Sequence, residues 1–353
     1  MADLRQILTS AVTLGASDIF IVAGRPISYK VNGVLTDYSD EKMIPAITKE
    51  LIAGMYELAG NASFEKFLAS GDDDLSFAIN GIARFRANMY KQRGSLAAVI
   101  RVIPFSLPDP AEYHIPDQVL DFANCTKGLV LVTGPAGSGK SLTLSCIIDK
   151  INSERANHVI TLEDPIEFLH PHKRSIISQR EISLDTNDYA SALRAALRQS
   201  PDVILVGELR DPETISIAMT AAETGHLVLS TLHTLGASNT IDRIVDGFSA
   251  QMQPQIRLQL SMVLQGVISE QLLPAKDGTL HPAFEIMTGN PAIRNMIRES
   301  KTHQIESAMQ TYASEGMVTM DSSLLKLYNE GVIDKDTALA HCFNQEALSR
   351  RLK

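Results

Sequence analysis

The chain has 353 residues, enough for about two domains with separate cores. Hydrophobic residues make up 44% and charged residues 21%, a globular balance that excludes long disorder. Lys and Arg number 32 against 41 Asp and Glu, a net charge of −9 that excludes coating nucleic acid by bulk charge, and 3 dispersed cysteines without a CxxC exclude a disulfide framework or Cys-rich zinc site and fit a reducing cytosol.

Met1-Ala2-Asp3-Leu4-Arg5 has no basic region leading into an apolar one, so no signal peptide is expected. No run of ~18 apolar residues occurs, so membrane contact is expected only through partners. Leu4, Ile7, Leu8, Ala11 and Val12 repeat at helical spacing and predict a helix over 3–14. Extended runs follow at 18–22 and 27–31, with Asn32-Gly33 as a turn before Val34-Leu35. One helical stretch is expected around 45–69, then strands at 75–79, 83–90 and 96–103. The first region, 1–103, therefore reads as a small α/β domain with antiparallel hairpins. Pro104, Pro108, Pro110 and Pro116 mark 104–117 as a semi-rigid connector.

Beyond it the pattern alternates. Apolar strands at 128–133, 158–162, 203–206 and 227–231 are separated by helices at 140–152, 188–199 and 212–223. Strands apolar throughout imply a parallel sheet covered on both faces. This second domain is placed at 118–290, and the last ~65 residues, with 291–353 as a separate region, read as helical.

Gly134-Pro135-Ala136-Gly137-Ser138-Gly139-Lys140-Ser141 matches GxxxxGK[ST], follows an apolar strand and opens a helix, as a phosphate-binding loop requires. Glycines let backbone N–H groups turn inward around a β-phosphate at the positive end of the helix. Ala136, Gly137, Ser138, Gly139, Lys140, Ser141 and Leu142 are the candidate nucleotide contacts. Lys140 would reach the β- and γ-phosphates of ATP, and Ser141 would hold Mg²⁺.

Hydrolysis also needs acids at the carboxyl ends of parallel strands. One strand runs into Glu163-Asp164-Pro165, another into Gly207-Glu208. The usual Asp of such a strand end is replaced by Gly207, so Glu208 is read as holding a water on Mg²⁺ and Glu163 as general base, although the roles can be exchanged. Asp164 before Pro165 fits a helix N-cap. His233, past the end of the 227–231 strand, is placed to meet the γ-phosphate; His226, at the opposite end, is assigned to an interface. In the period-two run 83–90, Arg84, Arg86 and Asn88 share one strand face, with Arg101 on the next strand. These are candidate arginines for the charge that develops in phosphoryl transfer, set against a solvated strand face as the plain alternative.

Three further segments carry a resemblance. Residues 160–168 (ITLEDPIEF), 205–211 (LVGELRD) and 224–233 (TGHLVLSTLH) resemble the Asp box, atypical Walker B and His box of the secretion ATPases of type II and type IV systems. Residues 292–299 (AIRNMIRE) resemble the AIRNLIRE signature of the type IV pilus retraction ATPases, departing only at Met296. The N-terminal segments 15–19 and 31–33, with Arg84-Phe85-Arg86, are similar to that family as well. The resemblance implies a PAS-like first domain, a RecA-like second domain and ATP between them. It also implies a cytoplasmic homohexameric ring, peripheral at the inner membrane, that works against a PilC-like platform protein. Arg84, Arg86 and Arg101 match arginines that family members direct toward the nucleotide. The 292–299 helix is either packed core or a coupling surface; spacing does not separate these. The alternatives are an accessory retraction or assembly ATPase and a non-hydrolysing nucleotide-gated module. Assembly members typically carry a four-cysteine zinc module, which this chain lacks. A DNA-translocating ring is disfavoured by the acidic balance and the lack of basic-aromatic clusters.

Overall fold

The computed structural model describes residues 3–31, 33–60, 63–105 and 107–352. Met1, Ala2, the turn residue Asn32, residues 61 and 62 of the expected long helix, Ser106 of the connector and Lys353 of the last region lie outside them. The contacts divide the chain into two units: Met1–Leu107 with Glu167–Leu169, and Pro108–Ile166 with His170–Lys353.

The first unit runs α1 (Leu4–Thr13), β1 (Ala16–Ile21), β2 (Ser28–Val31), β3 (Val34–Asp37), α2 (Pro45–Ala59), α3 (Phe64–Ser70), β4 (Asp72–Ile79), β5 (Ala83–Gln92) and β6 (Ser95–Pro104). Asp3 caps α1 by accepting from Arg5 N. The helical stretch expected over 45–69 is two helices. The chain leaves α2 at Gly60, and Ser63 caps α3 by accepting from Lys66 N, so a helix stop and a helix start interrupt one apolar pattern. The strands form an antiparallel sheet in the order β3-β2-β1-β6-β5-β4. Alternation on β5 is strict where it matters. Phe85, Ala87 and Met89 are fully buried among residues of α1 and α2 such as Ile7, Leu8, Ile52 and Met55, while Arg84, Arg86 and Asn88 take the other face.

The second unit begins with α4 (Asp117–Leu120), β7 (Gly128–Thr133), α5 (Lys140–Glu154), β8 (His158–Glu163), β9 (Ile176–Glu181), α6 (Tyr189–Ala196), β10 (Val203–Val206) and α7 (Pro212–Glu223). It continues with β11 (Leu227–Leu232), α8 (Ala237–Asp246), α9 (Gln253–Val263), β12 (Leu264–Pro274) and β13 (Leu280–Thr288). Short α-helices close it: α10 (Pro291–Arg298), α11 (Ile305–Thr311), α12 (Met320–Asn329), α13 (Lys335–His341) and α14 (Gln345–Ser349). The sheet order is β13-β12-β7-β11-β10-β8-β9, parallel except for the β12–β13 hairpin.

Both faces of this sheet are covered. Leu129, Leu131, Ile160, Leu162, Ile204 and Val206 pack on one side against residues of α6 to α11. Val130, Val132, Val159, Val203, Leu205 and Leu229 pack on the other against α5 residues such as Ile147, Ile148 and Ile151. Two-sided burial is why these strands read as continuous apolar runs. β9 escaped that pattern because it is an edge strand, with Ile176 exposed and Ser178, Gln179 and Arg180 only half-buried. The β12–β13 hairpin was not anticipated either. It places Leu273 and Ala283 under Met320, Leu324 and Ile333, so the C-terminal helices rest on the edge of the sheet. Among the described residues no helix is long and apolar enough to cross a membrane.

Candidate active site

Parallel pairing brings separate sequence motifs to one rim. In register, Leu162 pairs with Val206, Val206 with Ser230, and Leu232 with Thr133. The residues that follow are therefore neighbours: Glu163, Gly207-Glu208, His233 and the loop opening at Gly134. Hydrogen bonds tie the rim together. Gly207 N donates to Leu162 O at 2.8 Å, Leu209 N to Thr231 O at 3.1 Å, and Thr231 Oγ1 to Gly207 O at 2.6 Å.

The phosphate loop has the form its sequence demands. Gly139 caps α5 at φ 110°, a left-handed conformation that glycine adopts without strain. Lys140, Ser141 and Leu142 then occupy the first turn, whose amides have no partner within the helix. Ala136 and Gly137 are exposed, whereas Ser138 and Lys140 are buried. Lys140 Nζ donates to the loop's own carbonyls, Gly134 O at 2.9 Å and Pro135 O at 2.8 Å. Its ammonium thus lies inside the loop that would surround a phosphate. Leu142 is half-buried, with its side chain packed against the core.

Two carboxylates stand on the rim in different states. Glu163 is held by its own strand and the next. Thr161 Oγ1 donates to Glu163 Oε1 at 2.6 Å, and Gln179 Nε2 donates to the same oxygen at 3.2 Å. Glu208 is nearly buried and paired: Arg210 Nη2 lies 2.5 Å from Oε1 and His233 Nε2 3.7 Å from Oε2. The bond to Glu208 pushes the Arg210 guanidinium further up from its ordinary value. Ser141 and Glu208 supply hydroxyl and carboxylate oxygens, a hard donor set suited to Mg²⁺ completed by water and phosphate. Asp164 is not a helix cap. It precedes a cis peptide to Pro165 just beyond β8, and no helix starts there. His226 makes a local closure at the far end of β11, its Nδ1 3.0 Å from Ala221 O.

The glycine in place of the expected Asp has a steric reason. A Cβ on Gly207 would come within 2.8 Å of the Tyr189 hydroxyl and 3.2 Å of Leu162 O. Tyr189 projects from the start of α6 into this space, and burial, followed by the charges of Glu208 and Asp164, pushes its phenol up. Sequence reading missed Tyr189 and Gln179 because neither sits in a motif, and it passed over Thr161 and Arg210, which lie within the 160–168 and 205–211 segments beside the acids they bond.

In the first unit, Arg86 and Arg101 are directly opposite across β5 and β6. Two like charges in register repel, and each is offset by an acid: Arg86 Nε lies 4.0 Å from Asp74 Oδ1, and Arg101 Nε 3.3 Å from Asp18 Oδ1. Arg84 is half-buried on the same face. The expected arginine face exists, and it belongs to the unit that does not carry the phosphate loop. In α10, Ile293 and Ile297 are fully buried, and Arg294 ties the helix down. Its guanidinium donates to Gly289 O, Ser261 O, Met262 O and Gln265 Oε1. Asn295, Arg298 and Glu299 form the outward side, joined by hydrogen bonds from Asn295 to Glu299 and from Arg298 to Asn295.

Known proteins share this arrangement. A family model described as "Type II/IV secretion system protein" matches residues 1–324. The Pseudomonas aeruginosa protein named "Type IV pilus retractation ATPase PilT" is 44% identical over 325 residues, 91% of this chain and 93% of that protein. The Neisseria gonorrhoeae "Twitching motility protein" is 46% identical over 308 residues, 87% of this chain and 82% of that one. A crystal structure of the pilus retraction motor PilT with bound ADP superposes with a TM-score of 0.91 at 44% identity, covering 99% of this chain and 100% of that chain. The Legionella pneumophila ATPase DotB gives a TM-score of 0.78 at 29% identity, covering 95% and 94%. The architecture is accordingly an N-terminal α/β domain followed by a RecA-like P-loop ATPase fold. The chain belongs to the type II/IV secretion system protein family, and within it to the type IV pilus retraction ATPases.

Proposed function

We propose that this protein is an ATP-hydrolysing motor that drives type IV pilus retraction. The observation that carries the reading is the full-length agreement with the ADP-bound retraction motor, joined to a rim on which a phosphate loop, two carboxylates and a histidine meet. Lys140 turns from the loop carbonyls to the β- and γ-phosphates, and the amides from Ala136 to Leu142 cradle them. Glu163, oriented by Thr161 and Gln179, accepts the proton of the attacking water. Glu208 and Ser141 would hold Mg²⁺, which neutralises phosphate charge when bound. His233, beside Glu208, senses the γ-phosphate.

The larger assignment follows the resemblance that the sequence motifs carry. The first domain, 1–103, is PAS-like; the connector is 104–117, the ATPase domain 118–290 and the helical region 291–353. Arg84, Arg86 and Arg101 are directed to the nucleotide within a subunit or from a neighbour. The working form is a cytoplasmic homohexamer that turns hydrolysis into domain rotation against a PilC-like inner-membrane platform protein. The test is retraction scored in cells lacking the gene, with the parent chain and Lys140→Ala restored separately. The parent should restore retraction and the variant should not. Retraction restored by Lys140→Ala would remove hydrolysis from the function.

A further inference from the structure

Beneath the phosphate loop lies a carboxylate that the mechanism above does not use. Ser269 of β12 pairs with Thr133, the last residue of β7, so Glu270 sits one step beyond, where the chain turns into the loop. Glu270 is 1% exposed. Its two oxygens take hydroxyl donors from both ends of the loop-to-helix transition: Ser138 Oγ donates to Oε1 at 3.3 Å, and Thr143 Oγ1 donates to Oε2 at 2.6 Å. Between those two residues, a Cβ on Gly139 would stand 3.1 Å from Oε1. The carboxylate therefore touches the loop at 138, approaches it at 139 and grips the first turn of α5 at 143.

We propose that Glu270 is a positioning residue of the nucleotide site, which braces the phosphate loop from below and takes up a proton when nucleotide phosphates bind. This rests on the nucleotide-binding reading of the loop and deepens it. The charges around Glu270 decide the sign. β7 presents Thr133, β13 presents Phe284, and the loop and α5 present Gly134, Ser138, Thr143 and Lys140; of these only Lys140 is charged. Burial pushes the carboxyl up to about 7, against the pull of the Thr143 and Ser138 hydroxyls and the Lys140 ammonium. Phosphates in the loop add negative charge nearby and draw Lys140 toward themselves, and both changes favour the protonated carboxyl. Binding is then linked to proton uptake, and affinity for nucleotide falls as pH rises through the carboxyl's value in the empty site.

The experiment titrates the full-length protein with ADP at pH 7 by calorimetry, in two buffers of different ionisation enthalpy. Comparison with Glu270→Gln cancels the protonation of ADP itself. The parent should take up about 0.3 to 0.5 more protons per subunit than Glu270→Gln. Glu270→Gln, which can still bond both hydroxyls, should bind ADP within about twofold of the parent, whereas Glu270→Ala should lose about fivefold or more. Equal proton uptake by the parent and Glu270→Gln would overturn the proposal, as would parent-like ADP affinity in a folded Glu270→Ala. If Glu270→Ala does not fold, the Glu270→Gln comparison decides alone. A parent chain that binds no ADP would instead refute the nucleotide reading itself.

Discussion

Thr161→Val takes one hydroxyl from a buried strand and leaves the carboxylate it holds. Thr161 is fully buried in β8, and its bond to Glu163 Oε1, at 2.6 Å, is the shorter of the two described above. A hydrogen bond to a charged group contributes about 1.5–3 kcal/mol net. Gln179 still donates at 3.2 Å in the variant, so the lower end applies. If that orientation matters only once Glu163 begins to accept a proton, about 1.5 kcal/mol is lost from the transition state, which is roughly a tenfold fall in kcat. The assay is steady-state ATP hydrolysis by the full chain, with ADP affinity measured beside it. Affinity should hold within about twofold, because Thr161 makes no bond to the loop. Thr161→Ser keeps the donor and should keep most of the rate. A Thr161→Val enzyme with kcat within twofold of the parent would refute the orienting role and weaken the case for Glu163 as the base.

Three other outcomes are expected. Glu163→Gln should bind ATP with near-normal affinity and lose hydrolysis by about 100-fold or more; loss of binding in equilibrium dialysis would make Glu163 a structural or metal-holding group. Arg84→Ala should lower turnover per subunit at least about tenfold without unfolding the first domain; an unchanged rate in an intact assembly would leave the arginine face as a solvated strand surface. Arg294→Ala strips four acceptors of their donor and should cost about 2–3 kcal/mol. In a unit of this size that is a fall in Tm of roughly 5–10 °C, measurable by calorimetry.

What the sequence revealed and concealed follows from where each signal resides. The phosphate loop was legible because its chemistry needs contiguous residues: glycines, a lysine and a hydroxyl between a strand and a helix. The four central strands were legible because burial on both faces makes them apolar throughout. β9 and the β12–β13 hairpin were not, since β9 is an edge strand and the hairpin buries polar residues such as Ser269, Glu270, Gln271 and Glu285 among its apolar ones. The break between α2 and α3 was written in Gly60 and Ser63 but overridden by an apolar pattern that runs across it. At the site, Glu163 and Glu208 were readable from their strand ends. Gln179 and Tyr189 were not, because Gln179 comes from β9, and Tyr189 reaches Gly207 from a helix 18 positions earlier in the chain. Glu270 left little trace: it stands between Ser269 and Gln271 in a strand of mixed polarity, and no local pattern says which element it faces.

The strand order of the second sheet acts as a ruler. Adjacent strands stand ~4.8 Å apart, so the ends of β7, β11, β10 and β8 mark three equal steps, roughly 14 Å in all, from the loop to Glu163. His233 and Glu208 occupy the graduations between them. Moving any of these groups to a neighbouring strand would displace it by a whole step, far more than phosphoryl transfer tolerates. Side chains on these four ends can therefore be exchanged in kind but not in place, and variation in rate among such motors is expected in the residues that tilt each group toward the nucleotide.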